Sequence, residues 1–222
     1  MCLAGSTHAP RRVFFATYTP QKKRISIDSR RCGGADSVRR VEYDREEIPY
    51  IWKPEGNVQI LVTENPSYKN LKHRRSVFFV DNSYFVIVDE MVGSQKGTVN
   101  LHYQMPKGEI ANSREDMTFV TQFEEGSNMK LQCFGPEGMT MKKEPGWCST
   151  AYRKRYKRMN VSFNVKKDGE DAVRYITVIC PIKNCAGAPE LSAKFKNKTF
   201  NENGLEVEVK VNGKKQSLNY KL

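Results

Sequence analysis

The densest positive charge of the chain lies between residues 153 and 158, where it is mixed with aromatic side chains. The cluster comprises Arg153, Lys154, Arg155, Lys157 and Arg158, with Trp147, Tyr152 and Tyr156 beside or among them. Guanidinium and ammonium groups bind sulfate or carboxylate, and aromatic rings pack against flat ligand faces. We interpret this cluster as a binding site for a polyanion. The alternative interpretation is an ordinary solvated basic surface.

A second basic group, Lys72-His73-Arg74-Arg75, stands at the start of an apolar segment. Arg74 and Arg75 are predicted to bind the same kind of anionic substrate. His73 stands where a strand is predicted to begin, and a structural hydrogen-bonding role is favoured there over catalysis.

Composition supports an anionic partner without naming it. The chain has 222 residues and a formal net charge of +12, with 38 % hydrophobic and 28 % charged residues. This balance is typical of a globular protein that binds nucleic acid, an anionic membrane or a sulfated polysaccharide. No apolar run approaches the roughly 20 residues of a membrane span, so we expect no membrane-spanning segment. The first residues show no secretory signal.

Candidates for proton transfer are few. His73, His102 and Tyr152 are weak catalytic candidates, and each has a structural alternative. His102 and Tyr103 are neighbours in a predicted strand, so they point to opposite faces and one of them should be core. Tyr152 is more plausible as a platform for a sugar ring. The pairs Glu46-Glu47 and Glu124-Glu125 lie in predicted turns or polar linkers, which argues against a hydrolase with paired carboxylates.

The sequence offers no recognisable site for a metal or cofactor. Its six cysteines are irregularly spaced and form no Cys-x-x-Cys pair, so structural or free thiols are expected. No Ser-His-Asp signature, P-loop or Gly-rich dinucleotide loop occurs. We therefore predict no cofactor and no metal ligands.

The elements that must position these residues are predicted to be strands. Val77 to Val80 and Tyr84 to Val88 form two apolar runs around Asp81-Asn82-Ser83, which predicts a hairpin covered on both faces. Leu205 to Val211 alternates apolar and polar residues before the turn Asn212-Gly213, which predicts a second hairpin. Further strands are predicted at 57–64 (ending at Pro66), 98–104, 117–123, 129–134, 161–165 and 173–180. The fold expected is all-β, an antiparallel β-sandwich of many strands.

Several segments together resemble one protein family. Asn65-Pro66-Ser67-Tyr68, the His73 to Phe78 run, Tyr84 to Asp89 and Ser149 to Tyr152 are similar to motifs of the C-terminal β domain of heparinase II/III-type polysaccharide lyases. The similarity is greatest to the heparinase III kind, the heparin-sulfate lyases. It covers roughly residues 50 to 222.

The resemblance implies a function in heparan sulfate breakdown. Such lyases act by β-elimination: a base removes the C5 proton of the uronic acid, its carboxylate is neutralised, and an acid protonates the leaving oxygen. In the family the main residues for these steps lie in an upstream helical domain, which we expect to be missing here. The resemblance also implies a sulfated glycosaminoglycan as partner, no nucleic acid, and a periplasmic location.

The N-terminal residues 1–48 fit the pattern poorly. They are rich in Arg, Gly and Ser, and we expect an irregular, altered or partly disordered segment ahead of a β-sandwich domain at 49–222. The family has a histidine before a strand here, and the counterpart is Arg24, which leaves any metal role of that position in doubt. We therefore expect a domain that braces the helical domain and lines a basic cleft, without the main catalytic residues. The alternative is a free-standing polyanion- or carbohydrate-binding β module.

Overall fold

The computed structural model describes residues 15–20 (backbone only), 50–123, 128–183 and 187–222. These residues form fifteen strands: β1 Phe15–Pro20, β2 Ile51–Lys53, β3 Val58–Tyr68, β4 Leu71–Val80, β5 Tyr84–Val92, β6 Gly97–Gln104, β7 Glu109–Ser113, β8 Thr118–Gln122, β9 Asn128–Phe134, β10 Thr140–Ala151, β11 Lys154–Lys167, β12 Val173–Ile182, β13 Leu191–Phe195, β14 Gly204–Val211 and β15 Lys214–Lys221. The all-β prediction is confirmed, and every paired strand is antiparallel.

The strands form three sheets in three layers. The eight-stranded sheet has the order β2-β3-β4-β5-β12-β9-β8-β7, the four-stranded sheet β1-β6-β11-β10, and the three-stranded sheet β13-β14-β15. One core joins the four-stranded sheet to the large sheet, and Leu101 and Leu131 lie in it. A second core joins the opposite face to the three-stranded sheet, and Val86 and Val207 lie there. The eight-stranded sheet is therefore the middle layer.

The middle position explains why β5 is almost continuously apolar. Successive side chains alternate between faces, so Ile87 packs in the first core while Val86 and Val88 pack in the second. A strand covered on both faces buries successive side chains, as β5 does from Val86 to Met91. The expectation of cover on both faces is therefore confirmed for this part of the hairpin, whereas Phe85 at the start of β5 is exposed.

Turn chemistry sets the two predicted hairpins. Asp81 and Asn82 have φ angles of 49° and 50°, and Ser83 N–H donates to the Val80 carbonyl at 2.9 Å. Asn212 and Gly213 have φ angles of 49° and 78° between β14 and β15. Asn, Asp and Gly tolerate this left-handed region best, which is why these dipeptides mark tight hairpins.

One predicted boundary is wrong. β3 continues through Pro66 to Tyr68, with an irregular register between Asn65 and Tyr68. Proline lacks the N–H that a strand partner needs, but β2 pairs only with residues 60–62 of β3. Pro66 therefore lies beyond β2, where one edge of β3 is free of that strand.

Several predictions fall partly outside the described residues. Of residues 1–48 only β1 is described. The prediction of an irregular segment therefore falls largely outside the described residues, and so does Arg24, the predicted counterpart of the family histidine. The turn at 124–127 is also outside, although β8 and β9 pair on either side of it as predicted. The domain boundary at 48/49 stays a prediction. The described residues contain no helix long and apolar enough to cross a membrane.

Candidate functional site

The basic cluster lies on a hairpin that projects from the sandwich. β10 and β11 pair from Thr140 opposite Asn164 as far as Ala151 opposite Lys154. β6, the other neighbour of β11, ends its pairing at Gln104 opposite Asn160. Residues 146–159 therefore continue as a two-stranded ribbon past the end of β6. We call this segment the basic ribbon.

One face of the basic ribbon combines a tryptophan with two cations. Trp147 lies directly opposite Lys157 and is 52 % exposed. The Arg155 guanidinium carbon lies 4.6 Å from the centre of the Trp147 ring. Positive charge over the indole face is favourable, and it fixes a flexible arginine on a flat apolar surface. This face can receive a sugar ring and an anionic group together.

The tip of the basic ribbon is open to solvent. Tyr152 is 88 % exposed, and the Arg153 guanidinium carbon lies 5.3 Å from its ring centre. Arg153 has a φ of 60°, a left-handed conformation that closes the turn. Ser149 Oγ donates to the Ala151 carbonyl at 2.9 Å beside a register irregularity. Lys154 is exposed at the same tip.

The opposite face of the basic ribbon leads back to the sandwich. Tyr156 lies on it, with Lys107 Nζ 5.9 Å from its ring centre. Arg158 donates to Gln104 Oε1 at 2.5 Å and to the Met105 carbonyl at 3.4 Å, so this guanidinium is anchored to the end of β6. Arg158 is therefore half-buried, whereas the other four cations of the cluster are exposed.

Arg74 lies in a different environment. It is 1 % exposed, on the middle-sheet face that packs against the three-stranded sheet. Its Nε donates to Glu64 Oε1 at 2.7 Å, and its Nη1 donates to the Asn201 and Glu202 carbonyls at 3.2 and 2.9 Å. Arg74 thus fastens the loop between β13 and β14 to β3 and β4.

Arg75 points to the other face, because neighbouring strand residues alternate. Its Nε and Nη2 donate to the two oxygens of Asp89 at 2.7 and 3.1 Å. His73 Nε2 lies 2.6 Å from Asp89 Oδ1, which supports the structural role favoured for this histidine. Asp89 is 0 % exposed. The substrate contacts predicted for Arg74 and Arg75 would require the buried Arg74 and the partly buried Arg75 to leave their acidic partners.

The carboxylates of both networks stay ionised because their partners outweigh burial. Burial opposes ionisation of Asp89, but the Arg75 charge and the His73 hydrogen bond hold its pKa at about 2. Burial likewise acts against Glu64, yet hydrogen bonds from Arg74 and Tyr50 keep the pKa of this carboxyl below its ordinary value. For Glu90 burial dominates, and its pKa is raised despite the pairing with Arg174 at 2.9 Å.

The three catalytic candidates occupy three separate environments. His73 is buried between two sheets, Tyr152 stands at the tip of the basic ribbon, and His102 lies on the outer face of the four-stranded sheet. His102 and Tyr103 point to opposite faces, with Tyr103 fully buried, which confirms that prediction. The structure therefore does not assemble these side chains into one group.

Sequence reasoning missed four residues that organise the buried networks: Glu64, Asp89, Glu90 and Arg174. A usable signal was present, because charged residues inside an apolar strand run are expected to be paired. In the part of the chain that the structure describes, Cys133, Cys148 and Cys180 are free thiols, and no cluster of three His, Cys, Asp or Glu could hold a metal ion.

Comparison with known proteins places the chain in a family. The model of the heparinase II/III-like C-terminal domain matches residues 26–191. A heparin-sulfate lyase of Bacteroides stercoris is 93 % identical over 177 residues, which is 80 % of this chain and 27 % of that protein. A heparin-sulfate lyase of Bacteroides thetaiotaomicron is 34 % identical over 76 % of this chain and 24 % of its own length.

Solved structures agree with this placement. A heparinase III gene product has 83 % identity and a TM-score of 0.77 over 80 % of this chain and 28 % of its own. A heparan sulfate lyase from Pedobacter heparinus has 27 % identity and a TM-score of 0.70, covering 78 % of this chain and 27 % of its own. This chain spans about a quarter of the length of these relatives, and it belongs to the heparinase II/III-like C-terminal domain family.

Proposed function

We propose that this chain is the C-terminal domain of a lyase that degrades heparan sulfate by β-elimination at uronic acid, and that its basic ribbon lines the substrate cleft. The observation that carries the proposal is the exposed face of Trp147, Arg155 and Lys157 on a hairpin that projects past β6. The periplasmic location implied by the family resemblance belongs to the same proposal.

The chemistry of the basic ribbon suits a sulfated glycan. Heparan sulfate carries sulfate and carboxylate groups on a chain of sugar rings, so a binding surface needs several cations at intervals and flat apolar platforms. Trp147 and Tyr152 supply exposed rings, and Arg153, Lys154, Arg155 and Lys157 supply exposed cations. In this proposal the ribbon contributes binding energy and alignment, and proton transfer belongs to residues outside this chain.

A second role in the proposal is to brace the rest of the lyase. Trp52, Leu61 and Val77 form one cross-strand row on the middle sheet, and Phe79 and Phe85 stack in the next row at 4.4 Å. Trp52 is 64 % and Phe85 is 39 % exposed. Exposed apolar patches of this kind are typical of interfaces. A free-standing module would be expected to be polar on such a face.

Direct binding tests the cleft proposal. We would titrate the chain with heparan sulfate oligosaccharides at increasing NaCl concentration and repeat the titration with hyaluronan of equal length, which has carboxylates but no sulfates. Affinity for heparan sulfate should exceed that for hyaluronan and fall steeply with salt, because bound cations release counterions. Equal affinity for the two glycans, or no binding of heparan sulfate, would contradict the proposal.

A further inference from the structure

The outer face of the four-stranded sheet carries a block of polar side chains arranged in rows. Gln104, Asn160 and Glu144 are directly opposite one another on β6, β11 and β10, and His102, Ser162 and Lys142 form the next row. Because Arg158 shares the face of Asn160, it continues the block towards the tip of the basic ribbon. We call Gln104, His102, Asn160, Arg158 and Glu144 the polar face.

The Asn160 side chain occupies space that is open because β10 has a glycine, Gly146, beside it. A Cβ atom at Gly146 would lie 2.2 Å from Asn160 Nδ2, so only glycine lets this amide lie across β10. Gly146 stands opposite Arg158 in the register, one row from Asn160. Gly146 has no side chain, so β10 places nothing between the Asn160 amide and the Arg158 guanidinium.

Two polar atoms of this area lack partners. Within the described part of the chain, Arg158 Nε and Asn160 Oδ1 are buried and form no hydrogen bond. One is a donor and the other an acceptor, and leaving a buried polar group unpaired destabilises a protein. Such groups in a native structure need an explanation, and binding of a ligand with its own donors and acceptors is one.

The other members of the polar face lie close to the His102 imidazole and the Arg158 guanidinium. His102 Nδ1 lies 3.9 Å from Glu144 Oε2, and Gln104 Oε1 accepts the bond from Arg158 Nη2 at 2.5 Å. The result is an imidazole, a primary amide and a guanidinium within adjacent rows, with one carboxylate at the rim. That donor set suits an anion with two oxygens, and the unpaired amide oxygen suits a neighbouring hydroxyl.

We infer that Asn160, Arg158 and His102 bind the carboxylate and an adjacent hydroxyl of a uronic acid residue in the glycan. This inference rests on the proposed function and adds to it, because it assigns a uronate to the polar face, which lies on the side of β11 opposite to Arg155 and Lys157, and leaves the sulfates to the cations at the tip and on that other face of the basic ribbon. Lys154, Tyr156 and Arg158 occupy alternate positions on the same face of β11. A glycan lying along this face would pass from the tip of the basic ribbon to Asn160.

Asn160→Asp tests the inference, because it replaces the amide with a carboxylate of the same shape that repels a uronate. Asn219→Asp is the matched control on the exposed side of β15. Each protein would be titrated with a heparan sulfate oligosaccharide and with its carboxyl-reduced form, in which every uronic acid carboxyl is a hydroxymethyl group. The unchanged chain should bind the native glycan roughly tenfold more tightly than the reduced one, since only the native glycan has the carboxylate that accepts charge-assisted hydrogen bonds.

Asn160→Asp should abolish that preference while leaving affinity for the reduced glycan within about twofold, and Asn219→Asp should keep the preference. Gly146→Ala, which displaces the Asn160 amide without changing charge, should also remove it. An unchanged preference in both polar-face variants, or equal affinity of the parent chain for both glycans, would overturn the inference and leave the proposed function standing. Failure of the parent chain to bind either glycan would instead contradict the proposed function.

Discussion

Arg155 lies over the ring of Trp147, with 4.6 Å between the guanidinium carbon and the ring centre. Both residues belong to the part of the β10–β11 hairpin that extends beyond the end of β6. The two residues sit on neighbouring strands, and Lys157 stands directly opposite Trp147. A cation stacked on one tryptophan face leaves the remaining indole surface as a rigid apolar platform. This relationship makes Trp147 an expected anchor for a sugar ring.

Trp147→Ala should weaken heparan sulfate binding about tenfold, because exposed aromatic anchors in a binding surface commonly contribute more than 1 kcal/mol. Trp52→Ala is the matched control, since Trp52 is even more exposed but lies on the edge strand of another sheet. Isothermal titration calorimetry measures both variants. Equal effects of the two substitutions would remove Trp147 from the binding surface.

Arg74→Met should destabilise the fold by about 3 kcal/mol, because it leaves the buried Glu64 without its principal partner. Hydrogen exchange should rise across β14 and β15, since Arg74 fastens the preceding loop to the middle sheet. Heparan sulfate affinity of the folded variant should stay within about twofold of the parent. A stable variant that binds at least tenfold more weakly would instead support the substrate contact predicted for Arg74.

Asp89 makes stability depend on acid pH. Its pKa is about 2 in the folded chain, below the ordinary 3.8, so its stabilisation is complete above pH 4 and is lost as the pH falls through about 2. The loss should amount to about 2 kcal/mol. Urea unfolding between pH 2 and pH 7 measures it.

Asp89→Asn should lower stability at pH 7 by about 3 kcal/mol and flatten the acid dependence by the amount that Asp89 contributes. Asp168→Asn is the control, because Asp168 pairs with Lys166 on the surface with both side chains more than 60 % exposed. A variant at Asp89 that kept the full acid dependence of the parent would show that other carboxylates cause it.

The sequence predicts most strands well where alternation and turn residues agree. The hairpin of β14 and β15 is predictable because Leu205, Val207 and Val209 alternate with polar residues and face one core. The dipeptide Asn212-Gly213 also favours the positive φ angles that a tight hairpin turn requires. β10 was not predicted, since Pro145 and Gly146 interrupt it. Both are tolerated there because β10 is an edge strand.

The candidate site was predictable only in part. Charge density and aromatic residues identified the segment 152–158, but its projection past β6 depends on strand lengths that the sequence does not reveal. Arg74 and Arg75 illustrate the opposite problem. Alternation sends them to different faces, and their partners Glu64 and Asp89 are 10 and 14 residues away, so the cluster seen in sequence is two separate networks in space.

The isolated chain should show no β-elimination of heparan sulfate, because His73, His102 and Tyr152 do not converge on one substrate position. The measurement is the ultraviolet absorbance of the unsaturated uronate during prolonged incubation, with a full-length heparin-sulfate lyase as positive control. Turnover comparable to that of the complete lyase would contradict this prediction and would support a catalytic role for these three residues.

The most direct test of the account compares two triple variants of equal charge on a heparin column. The ribbon variant replaces three cations of the basic ribbon with Ala and leaves the anchored Arg158 intact; its substitutions are at Arg153, Arg155 and Lys157. The control variant replaces three exposed cations near the three-stranded sheet with Ala, at Lys198, Lys210 and Lys221. The account predicts that the ribbon variant elutes at clearly lower salt than the parent while the control elutes close to it. Equal shifts for both variants, or no shift for the ribbon variant, would contradict the assignment of glycan binding to the basic ribbon.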